Sequence, residues 1–248
     1  MKKTSLIPLA VAVTLSTAVS AEENDSSLSL GLGVGHEKSI YKGVDSETNG
    51  IPLVMYENGN FYLRGPEVGY TFFESSPVKI DAVVRYRMDG YDDKDSDDLR
   101  GMEDRDGTVE GGLTASVETG LGEWSIEAFG DAASTHDGYE LELGWEKPYD
   151  LNKNWSIIPA ASISYLSADL ADYYYGVTAK EATVRRAAYT VDSDYVWELG
   201  LSALYKIDRN QIVRFAISYE NYGSEIADSP IVDSDNSSRI GLVYAYRF

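Results

Sequence analysis

From residue 28 onwards the chain alternates. Leu28, Leu30, Leu32 and Val34 fall on one side of an extended segment, and Ser29, Gly31, Gly33 and Gly35 on the other. The same period of two returns at Val78, Ile80, Ala82, Val84 and Tyr86, set against Lys79, Asp81, Val83, Arg85 and Arg87. It returns at Tyr139, Leu141, Leu143 and Trp145 against Glu140, Glu142, Gly144 and Glu146, and around Glu198 and Arg214. The last segment sets Ile240, Leu242, Tyr244, Tyr246 and Phe248 against Arg239, Gly241, Val243, Ala245 and Arg247. Alternate residues of a strand point to opposite faces, so each segment reads as a strand with one apolar face. Twelve strands are expected, at about 28–36, 51–57, 60–65, 67–73, 78–88, 107–119, 123–131, 138–147, 154–166, 192–205, 211–220 and 238–248. Ten is the alternative if the short pair within 60–73 is not formed.

The connections are unequal. Short turns fall at Asn58 and Gly59, at 74–77, 120–122, 148–153 and 207–210, while long acidic or Tyr-rich loops fall at 37–49, 89–106, 168–190 and 221–237. Aromatic residues gather near strand ends, among them Trp124, Tyr139, Trp145, Trp155, Tyr165, Tyr195, Tyr205 and Tyr219. A soluble sandwich or lipocalin-like barrel also alternates, but it turns its charged face to water. Short turns on one rim, long loops on the other and aromatic girdles between are the pattern of a transmembrane β-barrel, with the turns periplasmic. Lipid offers backbone groups no hydrogen bonds, so the sheet must close and the final strand must pair with the first. The expected fold is therefore all-β, a closed antiparallel transmembrane barrel.

Composition agrees. No stretch after the N-terminus approaches the roughly 20 apolar residues of a membrane helix. Nineteen tyrosines, four tryptophans and 22 glycines suit a membrane barrel better than a soluble enzyme. Lys2 and Lys3, the apolar run 5–19 and the small residues before Glu22 form a secretory leader, with cleavage expected after Ala21. Residues 1–21 are thus read as a cleaved signal peptide and 22–248 as the barrel. The formal charge of −20 argues against nucleic acid as a partner. The absence of cysteine rules out disulfides and thiolate metal sites.

Candidate chemistry is sparse. His36 and His136 are the only histidines, both near the outer ends of expected strands where they could meet, but a nucleophile–base–orienter set needs contact geometry that residue order does not supply. No catalytic residue, cofactor or metal ligand is assigned. The aspartates of 89–98 lack the glycine and the final glutamate of an EF-hand loop, so they read as a solvated loop or as a weak attractor of divalent cations bridging lipopolysaccharide. Arg85, Arg87, Glu140, Glu142, Glu198, Arg214 and Arg239 fall on the expected lumen side. They would form an internal salt-bridge network that fills the barrel, or line a narrow cation-favouring passage. Tyr173, Tyr174 and Tyr175 break the alternation within the longest loop, as a lid packed over the mouth or as an aromatic binding surface.

Several stretches, in order, resemble the MltA-interacting protein/OmpV family of Gram-negative outer-membrane proteins: "GLGVGHEKSIYKGVD", "IPLVMYENGNFYLRGPEVGYTF", "GMEDRDGTVEGG", "DYYYGVTAKEA" and "DSPIV". The most specific are Asp172, Tyr173, Tyr174, Tyr175, Gly176 and Val177, and Asp228, Ser229, Pro230, Ile231 and Val232. Tyr244, Tyr246 and Phe248 resemble the C-terminal signal read by the barrel-assembly machinery. The resemblance implies an integral outer-membrane protein in contact with lipid and lipopolysaccharide. It implies a non-catalytic scaffold that joins a murein lytic transglycosylase to a peptidoglycan synthase. A small-molecule uptake barrel or channel and a surface adhesin are the alternatives.

Overall fold

A computed structural model describes residues 26–248, and the expected signal peptide at 1–21 lies outside the described residues. Twelve antiparallel strands form the wall: β1 (Ser27–Glu37), β2 (Glu47–Asn58), β3 (Phe61–Arg64), β4 (Glu67–Ser75), β5 (Val78–Arg87), β6 (Thr108–Thr119), β7 (Gly122–Asp131), β8 (Tyr139–Glu146), β9 (Trp155–Leu166), β10 (Asp194–Lys206), β11 (Gln211–Tyr222) and β12 (Asn236–Arg247). Each pairs with its neighbours in chain order, and β12 returns to β1 with Leu30 opposite Tyr246 and His36 opposite Ile240. The Phe248 amide then donates to the Leu28 carbonyl at 2.9 Å, so the end of the chain is tied into the seam. The barrel is closed and has twelve strands, so the ten-strand alternative is set aside.

The short pair is real but small. β3 and β4 form a hairpin through Gly65 and Pro66, and β4 carries a bulge between Thr71 and Phe73 that turns both Phe72 and Phe73 outwards. An extra residue in one strand of a pair does this. β2 starts at Glu47 rather than 51, because Glu47 to Gly50 continue the ladder with β1. After β8, Pro148 has no amide to give, and pairing with β9 resumes only at Tyr149–Asp150.

Alternation sets the two surfaces. The outward residues of β1, β7 and β12, such as Leu32, Ile126 and Leu242, are exposed, and the inward residues of the same strands are covered. An apolar belt of this extent would aggregate in water; in a bilayer it is the solvated face. Aromatic side chains pair across strands at two levels, Trp124 with Trp145 and Trp155 with Tyr205 near the short turns, and Tyr165 with both Tyr139 and Tyr195 near the long loops. These levels are the interfacial girdles.

Among the described residues, Tyr62, Val83 and Phe129 form a small apolar cluster in the interior. The main hydrophobic core lies outside the barrel wall, in the long loops.

Candidate functional site: the capped mouth and its charge belt

Four connections fold over the outer mouth. They are 38–46, 88–107, 167–193 and 223–235, and they contribute Ile40, Tyr91, Leu99, Met102, Leu170, Tyr174, Val177, Val191, Ile226, Ile231 and Val232 to one buried cluster. The expected loop at 168–190 begins as helix α1 (Ala168–Tyr175). Its signal is present in the sequence. Ser167 caps it by accepting from the Leu170 amide, and Leu170, Ala171, Tyr174 and Tyr175 share the buried face at helical spacing. The period-two alternation on either side masks that spacing. A second short helix, α2 (Ser224–Ala227), buries Ile226 against the same cluster.

The two family-like motifs meet here. Ser229 Oγ donates to the Tyr175 carbonyl at 2.6 Å, although 54 residues separate them. Asp172 accepts from the Val191 amide at 2.8 Å and its carbonyl receives the Gly176 amide at 2.8 Å. A Cβ on Gly176 would lie 2.3 Å from the Asp172 carboxylate, so only glycine lets the helix end against it. Tyr174 donates to the Asp106 carbonyl, Tyr173 accepts from the Asp106 amide, and Tyr41 stacks on Tyr175 at 5.8 Å. Tyr174 and Tyr175 are buried, so they serve as packing of a lid and present no aromatic binding face. Ile231 is fully buried and Val232 bridges to Tyr41, while Pro230 and Asp228 shape the turn between α2 and that bridge.

Three residues that alternation does not single out hold the loops together. Arg105 donates to Glu181 at 2.9 Å and to the Tyr173 carbonyl at 2.6 Å, and Arg186 donates to the carbonyls of Asp98 and Glu181. Glu181 also accepts from the amides of Glu103 and Thr178. Burial works against its charge, but these donors win and hold the carboxyl down to about 2. A carboxyl lowered on folding adds stability above its ordinary value near 4.5, and that stability is lost as pH falls towards about 2. Limited proteolysis within 178–190 should therefore stay slow at pH 5 and accelerate below pH 4. A Glu181→Gln variant should be cut at one rate across that range, and a wild-type rate without pH dependence would contradict this assignment.

Beneath the cap lies a belt of ions. Glu110 is fully buried and accepts from Nε of Arg85 and of Arg87, each at 2.7 Å. Both arginines also bond Glu140, Arg85 at 2.7 Å, and Arg87 reaches Asp89 at 2.7 Å. A second node centres on Arg239, with Glu37 at 2.9 Å, Glu220 at 2.7 Å and Glu198 at 3.7 Å. Glu142 instead accepts from Ser164, and Arg214 donates to Ser202 near the other rim. Arg85, Arg87 and Glu140 are thus brought together, as are Glu198 and Arg239, while Glu142 and Arg214 stand apart from both nodes. A cavity of about 50 Å³, bounded by Glu37, Tyr41, Asp89, Tyr175, Tyr222 and Arg239, separates belt from cap. At roughly 10–15 Å³ per water it holds a few solvent molecules and no larger solute.

The histidines do not meet. His36 is exposed and bonded to Thr48 at 2.8 Å, whereas His136 is buried beside Glu110. His136 Nδ1 accepts the Gly138 amide at 2.9 Å, leaving Nε2 to face Glu110 at 3.4 Å. In the acidic loop, Asp92, Asp93 and Asp104 converge within 4.8 Å, with Lys94 at 3.4 Å from Asp92 as an internal counter-ion.

Comparison with known proteins then fixes the kinship. The family model described as "MltA-interacting protein MipA" matches residues 30–248. The chain belongs to the MipA family. OmpV, an outer membrane protein of Vibrio cholerae, is 36% identical over 211 residues, spanning 84% of this chain and 82% of its own. The MltA-interacting protein of Escherichia coli K12 is 28% identical over 251 residues, the whole of both chains. Among solved structures, the translocator domain of the autotransporter NalP from Neisseria meningitidis superposes with a TM-score of 0.49 at 12% identity, over 96% of this chain and 92% of that one. With MipA relatives named as outer-membrane proteins and a closed barrel bearing an apolar belt, this chain is an integral protein of the Gram-negative outer membrane.

Proposed function

We propose that this MipA-family barrel is a non-catalytic scaffold that anchors peptidoglycan-remodelling enzymes, a murein transglycosylase and a synthase, at the outer membrane. The observation that carries it is the full-length match to a relative named for its interaction with MltA. The packed cap supports the same reading, since a barrel closed on its outer side serves as an anchor rather than a conduit. His136 supports a non-catalytic reading, because its Nδ1 accepts the Gly138 amide and its Nε2 faces the Glu110 carboxylate at 3.4 Å, and neither contact is to a hydroxyl nucleophile. On the short-turn rim, Leu121, Tyr149, Leu151 and Ile207 are exposed at the tips of three turns. They offer a periplasmic partner an apolar footing in addition to the barrel wall.

Crosslinking in intact envelopes, followed by identification of the captured proteins, tests this. A transglycosylase or synthase should be recovered, and less of it from a Leu121→Asp, Leu151→Asp variant. Recovery of neither, together with stable cation-selective steps in planar bilayers, would replace the scaffold with a channel. The inward-facing acids Glu142 and Glu198 favour that second reading. Attachment to host surfaces that disappears on deleting 89–106 would favour an adhesin.

Tyr244, Tyr246 and Phe248 all face outwards, with Phe248 packed edge-on against Tyr246 at 4.8 Å. We assign them to recognition by the barrel-assembly machinery. Phe248→Ala should slow the appearance of the compact, unheated gel form in cells while leaving refolding in detergent unchanged. Equal assembly in cells would remove the assignment.

A further inference from the structure

The wall is incomplete on its outer half. β3 has four residues, and its last pairings put Met55 of β2 opposite Arg64. The hairpin ends with Gly65 N donating to Val54 O at 3.0 Å and Pro66 O accepting from Tyr86 N at 3.1 Å. Above that tip, β2 runs on from Val54 to Glu47 paired only with β1. Its other edge faces a notch whose far border is the top of β5. Three inter-strand spacings of about 4.8 Å set the two borders roughly 14 Å apart at the hairpin tip.

Three features say what fills it. First, the Val54 carbonyl points to the hairpin side, so every second residue above it, Pro52, Gly50 and Thr48, turns its backbone groups into the notch. Pro52 has no N–H, which leaves a strand partner without a donor at the middle of the edge and leaves lipid with one less unsatisfied group. Second, β2 places Ile51 and Leu53 on its inner face, where Leu53 lies beside Gly33 and Gly65, and both remain partly exposed. Other inward apolar side chains, Val83, Phe129, Ile158 and Leu204, are buried. Third, the outward faces bordering the notch, Val34, Val54, Val84 and Tyr86, are exposed apolar surface continuous with the lipid belt. The cap covers the mouth above, so the notch is a gap in the strand ladder that faces the lipid side.

We propose that this notch is a lateral lipid site in which an acyl chain of lipid A from the outer leaflet turns past the edge of β2 and lies against Leu53 and Ile51. The placement in the outer leaflet follows from long loops being extracellular. At Pro52, the deepest of the three positions, hydrocarbon meets no unpaired N–H, while the groups of Thr48 and Gly50 lie towards the outer rim and within reach of lipid A headgroups.

A photoreactive benzophenone residue at Leu53, installed in the full chain in living cells, tests the assignment. Leu141, on the lipid face below the outer girdle, and Ser162, on the inner wall away from the notch, are the references. Each variant is first checked for the compact gel form, and Ile51 replaces Leu53 if that variant does not fold. Irradiation should shift the Leu53 and Leu141 variants to a form detected by antibody to lipopolysaccharide, and leave Ser162 unshifted. Absence of that adduct at Leu53, a phospholipid adduct in its place, or capture of a second copy or another protein would each overturn the proposal.

Discussion

Replacing Tyr174 by alanine should unlock the cap while leaving the barrel standing. Tyr174 is almost completely buried, and its ring contacts Tyr173 and His136 while its hydroxyl donates to the Asp106 carbonyl. Removing a large buried aromatic costs about 3–5 kcal/mol, which corresponds to roughly 10²–10⁴ in a local opening equilibrium. That cost falls on loops and leaves the strand ladder intact. Hydrogen exchange should therefore accelerate by that factor at the amides of Gly176, Val177 and Val191, which bond within the cap. Amides of β10 and β11 should exchange as before. Uniform acceleration in loops and strands would mean that cap and wall unfold as one unit, and unchanged exchange in the cap would mean that Tyr174 does not hold it.

Truncating Glu110 to alanine should be the most damaging single change inside the barrel. Its carboxylate is the shared acceptor of Arg85 and Arg87, and neither arginine can leave the lumen without breaking its bond to Glu140. Removing one partner from a buried ion network costs about 3–5 kcal/mol, because the remaining charge keeps its desolvation penalty. Urea unfolding of the detergent-refolded barrel, followed by the loss of the compact gel form, should show a midpoint shifted well below wild type. Adding Arg85→Met to Glu110→Leu should recover part of that loss, since it removes a charge along with its acceptor. A midpoint unmoved by Glu110→Ala would show that water in the lumen replaces the carboxylate.

The two variants probe layers that were unequally visible in the sequence. A side-chain period of two leaves a direct trace, so β5, β8, β11 and β12 and the inward faces of Arg85, Glu140, Arg214 and Arg239 could be read residue by residue. β3 could be read from its own pattern, but β4 was legible only through parity, because an even number of strands must separate long loops that lie on one side. α1 was missed although Ser167, the Leu170–Tyr174 spacing and Gly176 mark it. A helix of two turns between strands competes poorly with the surrounding alternation. The Arg105–Glu181 bond had no local signature at all, since 76 residues separate its partners.

The sequence by itself determined that this chain is a closed membrane barrel and which side of each strand meets lipid, because strand geometry converts residue order into facing without further information. Only the tertiary structure decided which lumen charges share a node, that the tyrosine motif and the Ser229 motif form one lid, and that the wall is notched above β3. Those outcomes depend on where separate segments arrive in space. Register, strand length and loop packing set that, and none is encoded within a single stretch.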